Sequence, residues 1–167
     1  MLADTVTEDL DIRGKAASLG FTVPPGLVLL PGNLATALSR DDLTYEASSA
    51  TVKKLLVRAG LEVNGLEGNG GNPIEQSFKK GVEWLGPTLF FGSALLTQNP
   101  AAVTIALNMI STYLTDLFRG FPGGRPVKLT VIVERNGKMR NKRIEYTGSA
   151  EGLKELALVI ERTVRDD

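Results

Sequence analysis

Residues 86–118 read GPTLFFGSALLTQNPAAVTIALNMISTYLTDLF, and they carry no charge before Asp116. A helix that spans a bilayer needs about 20 consecutive apolar residues, and Gln98-Asn99-Pro100 interrupts this stretch. Asparagine followed by proline is a frequent helix start, because Asn caps the helix and Pro fits its first position. The stretch therefore predicts two packed helices, with a short apolar segment at 88–96 and a second helix over 101–118.

Small polar residues form one narrow stripe along the second of these helices, and the rest of its circumference is apolar. A helix that is apolar nearly all round is normally buried, whereas an exposed stripe in a monomer usually carries charges. The stripe is therefore interpreted either as part of a core helix or as a surface that meets another chain. The predicted partner interface consists of Thr104, Asn108, Ser111 and Thr115.

A membrane remains the alternative partner for the uncharged segment 84–115. In that interpretation the segment associates with a bilayer or forms a pore. The apolar residues of 101–118 favour insertion only weakly, since each contributes a fraction of a kcal/mol and the neighbouring Gln, Asn and Ser side chains oppose it. A protein partner, or self-association into a homo-oligomer, is therefore the preferred prediction.

The segments upstream alternate between extended and helical patterns. Residues 21–33, FTVPPGLVLLPGN, contain two adjacent prolines and read as extended structure. A helix is predicted over 50–59 and ends at Gly60. A second helix is predicted to start at Asn72-Pro73. Its apolar positions recur at i, i+4, i+8 and i+11 and are Ile74, Phe78, Val82 and Leu85.

The chain is predicted to contain one domain after a short N-terminal segment. Residues 1–22 are rich in acids and are interpreted as an acidic leader or a short helix, with Thr7 as a candidate N-cap. Residues 23–167 form the single domain, and 64–72 is a glycine-rich loop that lacks the Lys-Ser/Thr ending of a phosphate-binding loop.

The C-terminal third carries the clearest pattern. VKLTVIVE, residues Val127–Glu134, alternates with period two and is a predicted strand. Asn136-Gly137 is a favoured hairpin turn, and 139–147 is the return strand. Ser149 then caps a final helix. The predicted fold class is α+β, with central apolar helices packed on a small antiparallel sheet that ends in a β-hairpin followed by a helix.

The hairpin concentrates positive charge in a chain whose formal net charge is zero. This pattern is typical of an edge strand that charge protects against edge-to-edge pairing, and this interpretation is preferred. The alternative is an anionic partner, such as an acidic protein or a nucleic acid. The basic stretch of the hairpin has no interleaved aromatic residues on which bases could stack, so it gives no strong nucleic-acid signal. The predicted anion-binding residues are Arg135, Lys138, Arg140, Lys142 and Arg143.

The composition excludes several kinds of chemistry. The chain has no cysteine and no histidine, which removes Cys- and His-based nucleophiles and the usual zinc sites. Asp41-Asp42 are adjacent and point in different directions, and Glu46 is isolated in the sequence. We therefore expect no enzymatic activity, no metal and no cofactor. The absence of cysteine also suits a reducing, cytoplasmic location.

Three segments give the C-terminal part a resemblance to a known family. They are NPAAVTIALNMISTYLTDLFRG, VKLTVIVERNGKMRNKRIEY and SAEGLKELALVIERTV, within residues 99–165. Their order resembles the effector-associated constant component proteins of bacterial conflict systems. In that family the apolar helix usually ends in Trp-Leu followed by arginines, whereas here it ends in YLTDLFR. The resemblance implies a non-enzymatic interaction or adaptor module in bacterial defence.

Overall fold

The computed structural model describes residues 3–9, 11–68, 73–77, 83–121, 124–134 and 141–165, with the backbone alone at 3–9 and 163–165. The helices are α1 (Ile12–Ser18), α2 (Ser49–Arg58), α3 (Ser93–Gln98), α4 (Ala102–Leu117) and α5 (Leu153–Arg165). The strands are β1 (Ala3–Asp9), β2 (Phe21–Thr22), β3 (Leu27–Leu30), β4 (Thr44–Tyr45), β5 (Val63–Asn64), β6 (Glu67–Gly68), β7 (Glu75–Gln76), β8 (Trp84–Phe91), β9 (Val127–Glu134) and β10 (Asn141–Gly148).

A six-stranded sheet in the order β1-β10-β9-β8-β3-β5 organises the fold. The neighbours β8 and β9 run parallel, as do β3 and β5, and the other neighbours are antiparallel. Two small pairs, β2-β6 and β4-β7, lie outside this sheet. The predicted α+β class with an antiparallel sheet is confirmed, although the sheet is larger than predicted and contains the two parallel pairings.

One face of the sheet packs against α2, α4 and α5. The alternation of β9 sends Val127, Leu129, Val131 and Val133 to this side, where they join the larger apolar core. Ile110 and Leu114 of α4, along with Leu153 and Leu156 of α5, are fully buried in it. The apolar face of each helix is thus covered by the sheet and by its neighbours, as an amphipathic helix requires.

The other face of the sheet is covered only in part. Val28, Leu30, Phe90 and Ile132 point to this side and pack under α1 and the segment 31–43. The remaining area of this face carries polar side chains of β8, β9 and β10 and borders an open cleft.

The apolar segment around Phe90 is a strand, so the prediction of two packed helices in 86–118 is wrong in its first half. Phe91 faces the larger core, whereas Phe90 faces α1. A strand that is covered on both faces is apolar on both, and it lacks the alternation that identifies a half-buried strand. The predicted second helix is confirmed as α4.

The prediction of a helix that starts at Asn72-Pro73 is wrong for the residues that the structure describes, which are 73–77 and 83–85. Glu75–Gln76 pairs with β4, and Trp84 and Leu85 belong to β8. The intervening positions Phe78 and Val82 lie outside the described residues. The backbone of Trp84 donates to Pro126 O at 2.8 Å, so long-range pairing overrides the local helical period.

The N-terminal segment belongs to the sheet, so the acidic-leader interpretation of 1–22 is corrected. β1 pairs antiparallel with β10 along its whole length, and Thr7 is a strand residue rather than a helix cap. The short helix does exist as α1. Its cap is Asp11, whose Oδ1 accepts from Gly14 N at 3.1 Å.

The remaining predictions hold with small shifts. The predicted helix at 50–59 is α2, and Gly60 ends it with a φ of +90°. The return strand of the hairpin is 141–148, and the turn itself lies outside the described residues. Ser149 Oγ accepts from Gly152 N at 3.1 Å ahead of α5. The glycine-rich stretch 64–72 contributes to β5 and β6, and 69–72 are not described.

Candidate functional site

A polar cleft of about 560 Å³ lies over the uncovered part of the sheet. Strands β8, β9 and β10 form its floor, and the segments around Gly32, Glu46 and Ser77 form its walls. Sites for small molecules usually enclose about 300–1,000 Å³. This cleft therefore has the size of a ligand site, with walls that are more polar than is usual.

The strand register places hydroxyl groups in rows across the cleft floor. Thr88 of β8 pairs with Thr130 of β9, which pairs with Glu145 of β10. Lys128 and Thr147 form the next row, two residues along each strand. Residues i and i+2 of a strand share one face, so these side chains point to the same side. The floor thus combines hydroxyl donors and acceptors with one cation and one carboxylate.

Glu46 occupies one wall, directly after β4. Its half-buried carboxylate accepts a hydrogen bond from the backbone N–H of Gly32. A Cβ at residue 32 would collide with Glu46 Oε1, so glycine permits the close approach. Burial raises the pKa of Glu46 to about 7, although the Gly32 hydrogen bond partly offsets this effect. The carboxyl group therefore exchanges its proton near neutral pH.

Hydrogen bonds hold the wall that carries Glu46. Asn33 Nδ2 donates to Asp42 O at 2.7 Å, and its Oδ1 accepts from Thr44 N at 3.1 Å. The Tyr45 hydroxyl accepts from Leu66 N at 2.9 Å. The first two bonds lie within the wall, and the third joins the wall to the segment between β5 and β6. Hydrogen bonds therefore hold the backbone on both sides of the wall that carries Glu46.

The charged groups of the cleft differ in their partners. Arg143 Nη2 lies 3.0 Å from Glu145 Oε1. Lys128 is exposed on the floor. The pKa of Glu46 is set by burial and by the Gly32 N–H, with no contribution from a cation in the described part of the chain. No group of three or more metal-ligating side chains occurs among the described residues.

The predicted interface stripe on α4 is partly engaged within the chain itself. Thr104 Oγ1 donates to Glu161 Oε1 at 2.7 Å, and Ser111 is 1% exposed. Burial therefore keeps Ser111 from contact with a partner in this conformation, whereas Thr104 is partly exposed. Asn108 and Thr115 are partly exposed, and a partner contact there stays a prediction.

The predicted basic patch is described only in part. Arg135, Lys138 and Arg140 lie outside the described residues. Lys142 and Arg143 are consecutive residues of β10, and consecutive residues of a strand point to opposite faces. Lys142 pairs in register with Glu8 of β1, and Arg143 pairs with Glu145. The two described cations therefore do not form one anion-binding surface.

The segment 84–115 does not form a continuous apolar helix. It contains β8, α3 and most of α4, and β8 lies inside the sheet between β9 and β3. A 16-residue helix such as α4 is about 24 Å long, whereas a bilayer core is about 30 Å thick. Among the described residues, no helix has the length and apolar character needed to span a bilayer.

The open edge of β1 is a feature that the sequence pattern did not predict. β1 is seven residues long and is the last strand of the sheet on its side. One of its edges pairs with β10, and no described strand pairs with the other. The signal was weak, because TVT is a short β-branched run between acids.

The cleft was also missed, since Glu46 appeared only as an isolated carboxylate. Its neighbours in the cleft come from distant positions in the chain, and no motif links them. In comparisons with known proteins, no family model, curated protein or solved structure matches this chain.

Proposed function

We propose that this protein is a non-enzymatic cytoplasmic interaction module that binds an extended segment of a partner protein along β1. The observation that supports this proposal is the outer edge of β1, which runs for seven residues without a partner strand in the described part of the chain. An exposed strand edge presents a row of N–H and C=O groups. Addition of a peptide strand satisfies those groups and is a common mode of peptide recognition.

The charge of β1 favours a basic partner segment. Its sequence, ADTVTED, contains three acidic residues and no cation. The acids flank the β-branched centre Thr5-Val6-Thr7. Lysine or arginine directly opposite an acidic residue stabilises a strand pair, and like charges destabilise it. The expected partner therefore supplies an extended segment with alternating basic and β-branched residues.

Self-pairing is less favourable for the same reason. In an antiparallel β1–β1 pair centred on Val6, Asp4 of one copy lies opposite Glu8 of the other. This repulsion occurs twice in the symmetric pair. A segment of a different protein is therefore the proposed occupant of the β1 edge. The experiment must distinguish this binding from pairing between two copies of this chain.

A role as an accessory component of a bacterial defence system is the finer part of the proposal. It is supported by the resemblance over residues 99–165 alone. The genes beside the coding sequence test it: a neighbouring protease, nuclease or membrane effector is expected. Neighbours that belong to unrelated housekeeping operons in every genome that carries the gene would contradict it.

Two proline variants test strand addition. The N–H groups of consecutive strand residues point to opposite edges. Of the variants Thr5→Pro and Val6→Pro, one therefore loses an inward N–H, which faces β10, and the other loses an outward N–H, on the open edge. The outward variant is tolerated, because proline is accepted on an edge strand when its missing N–H faces solvent. A urea titration of both proteins identifies the outward variant as the one with near-native stability.

A random peptide library selected against the native protein supplies the ligand. Enriched peptides are expected to carry Lys or Arg at alternate positions, and the outward proline variant should bind them at least about tenfold more weakly. Light scattering on the protein alone tests self-pairing. The proposal is overturned if no peptide is enriched, if enriched peptides bind the outward variant like the native chain, or if a dimer protects the β1 amides from hydrogen exchange.

A further inference from the structure

The polar cleft is a separate feature from the β1 edge, and it contains a carboxylate without an opposite charge among the described residues. We propose that the cleft binds an organic ammonium group, which lies against the Glu46 carboxylate. This inference does not depend on strand addition at β1, since the cleft is formed by the face of the sheet rather than by its edge.

The geometry around Glu46 leaves acceptor capacity for a ligand. A carboxylate has about four lone-pair sites, and the structure assigns one backbone donor, Gly32 N–H, to this one. Glu46 lines the cleft together with Thr44, Thr88 and Ser77. An ammonium group brings three donors. It matches the remaining acceptor sites of the carboxylate and the neighbouring hydroxyl oxygens.

The distribution of charge favours a cation over an anion. Glu145 already has Arg143 at 3.0 Å. Lys128 is exposed and keeps most of its hydration, so an anion gains little from pairing with it. Glu46 is half-buried and has lost part of its hydration. A partly desolvated charge gains most from a bound group of opposite sign.

The floor of the cleft indicates which amines fit. Thr88, Thr130 and Thr147 present hydroxyl groups within a cleft of about 560 Å³. Hydroxyl groups of a ligand can donate to and accept from these side chains. A small amine that carries several hydroxyl groups is therefore the expected free ligand. The lysine side chain of a partner protein is the other source of the same chemistry.

Binding is expected to depend on pH. Burial raises the pKa of Glu46 to about 7, and an ammonium group binds the ionised carboxylate. The ionised fraction increases about tenfold from pH 6 to pH 8 for a group that titrates at this pH. Lys128, Arg143 and Glu145 are the other charged groups near the cleft. Affinity for an amine that stays protonated should therefore increase about tenfold over the same interval.

A matched pair of probes tests the inference by NMR titration of the native protein. Glucamine and sorbitol have the same carbon chain and differ in one group, an ammonium in place of a hydroxyl. Glucamine is expected to shift the amide signals of residues 32, 46, 88 and 130, while sorbitol at the same concentration leaves them in place. Nα-acetyl-lysine amide serves as the second arm, and tighter binding of it than of glucamine assigns the ammonium to a protein side chain.

Two conservative variants provide the control. Glu46→Gln keeps the shape of the side chain and should weaken glucamine binding at least about tenfold and abolish its pH dependence. Asp116→Asn removes an exposed carboxylate of α4, which lies on the opposite face of the sheet and already has Arg119 at 2.8 Å, and its affinity should stay within about threefold of the native value. Urea titrations show whether both variants are folded. The inference fails if sorbitol binds as well as glucamine, if Glu46→Gln binds like the native protein, or if neither amine binds at about 10 mM.

Discussion

Glu134 joins three elements of the fold at the end of β9, and its removal is expected to destabilise the protein measurably. Its carboxylate accepts from Arg13 of α1, with Nε to Oε2 at 2.7 Å and Nη2 to Oε1 at 3.3 Å. Oε1 also accepts from Ser93 N at 3.0 Å and Ser93 Oγ at 3.2 Å, at the start of α3. Glu134→Gln removes the charge and places an NH₂ group where one oxygen accepted.

The size of the effect follows from the burial of the pair. A hydrogen bond to a charged group contributes about 1.5–3 kcal/mol when it is well buried. The Glu134 side chain is 15% exposed, but that of Arg13 is 47% exposed, which moves the expectation toward the lower end. We expect Glu134→Gln to lower the free energy of unfolding by about 2 kcal/mol. For a chain of this size that corresponds to a decrease in Tm of about 4–8 °C.

The effect should depend on pH in one direction. Burial raises the pKa of Glu134, but the hydrogen bonds from Arg13 and Ser93 outweigh it, so the net shift is downward. A carboxyl group with a lowered pKa in the folded state stabilises the fold above its unfolded pKa, which is about 4.3 for Glu. It loses that contribution as the pH falls through the folded value. The difference between the native protein and Glu134→Gln should therefore shrink on acidification.

Urea unfolding at pH 7 and pH 3 measures both quantities. Trp84 is the single tryptophan of the chain and packs against the larger core, so its fluorescence reports unfolding. Asp116→Asn is the matched control, because its ion pair with Arg119 is exposed on both sides and should contribute at most about 0.5 kcal/mol. A loss below about 0.5 kcal/mol in Glu134→Gln, or a loss that is equal at both pH values, would refute the reasoning.

Two further predictions concern buried polar groups. Ser111 Oγ is buried and has no hydrogen-bond partner among the described residues, so Ser111→Ala should leave the free energy of unfolding unchanged or raise it by about 0.5 kcal/mol. Thr104→Val loses the hydrogen bond to Glu161 and should lower the free energy of unfolding by about 1 kcal/mol. Urea titrations compare the two variants, and equal losses would contradict the hydrogen-bonding difference between these two residues. Glu46 has a raised pKa of about 7, so its contribution to stability is complete below the unfolded pKa and disappears as the pH rises through 7. Glu46→Gln should flatten the decrease in Tm between pH 5 and pH 8, and an unchanged pH profile would show that Glu46 titrates normally.

Local pattern was sufficient for the elements that expose one face to solvent or to a single neighbour. β9 alternates because one side meets the helices. α2 and the start of α5 carry their own signals, in Gly60 at φ +90° and Ser149 as a cap. These signals act within one turn or one pleat, so the sequence expresses them directly. The fold class and the C-terminal strand-strand-helix order therefore followed from the sequence.

Strand pairing between segments that are distant in the sequence determined β1, β8 and the cleft. β8 was mistaken for a helix, because a strand covered on both faces shows an apolar run without alternation. β1 lies in the sheet because its backbone pairs with β10 near the other end of the chain, and acidic side chains do not reveal that pairing. The chemistry of the cleft depends on Glu46 lying against Gly32 and above Thr88 and Thr130. Burial and long-range strand register are properties of the assembled sheet, so only the tertiary structure brought these groups together.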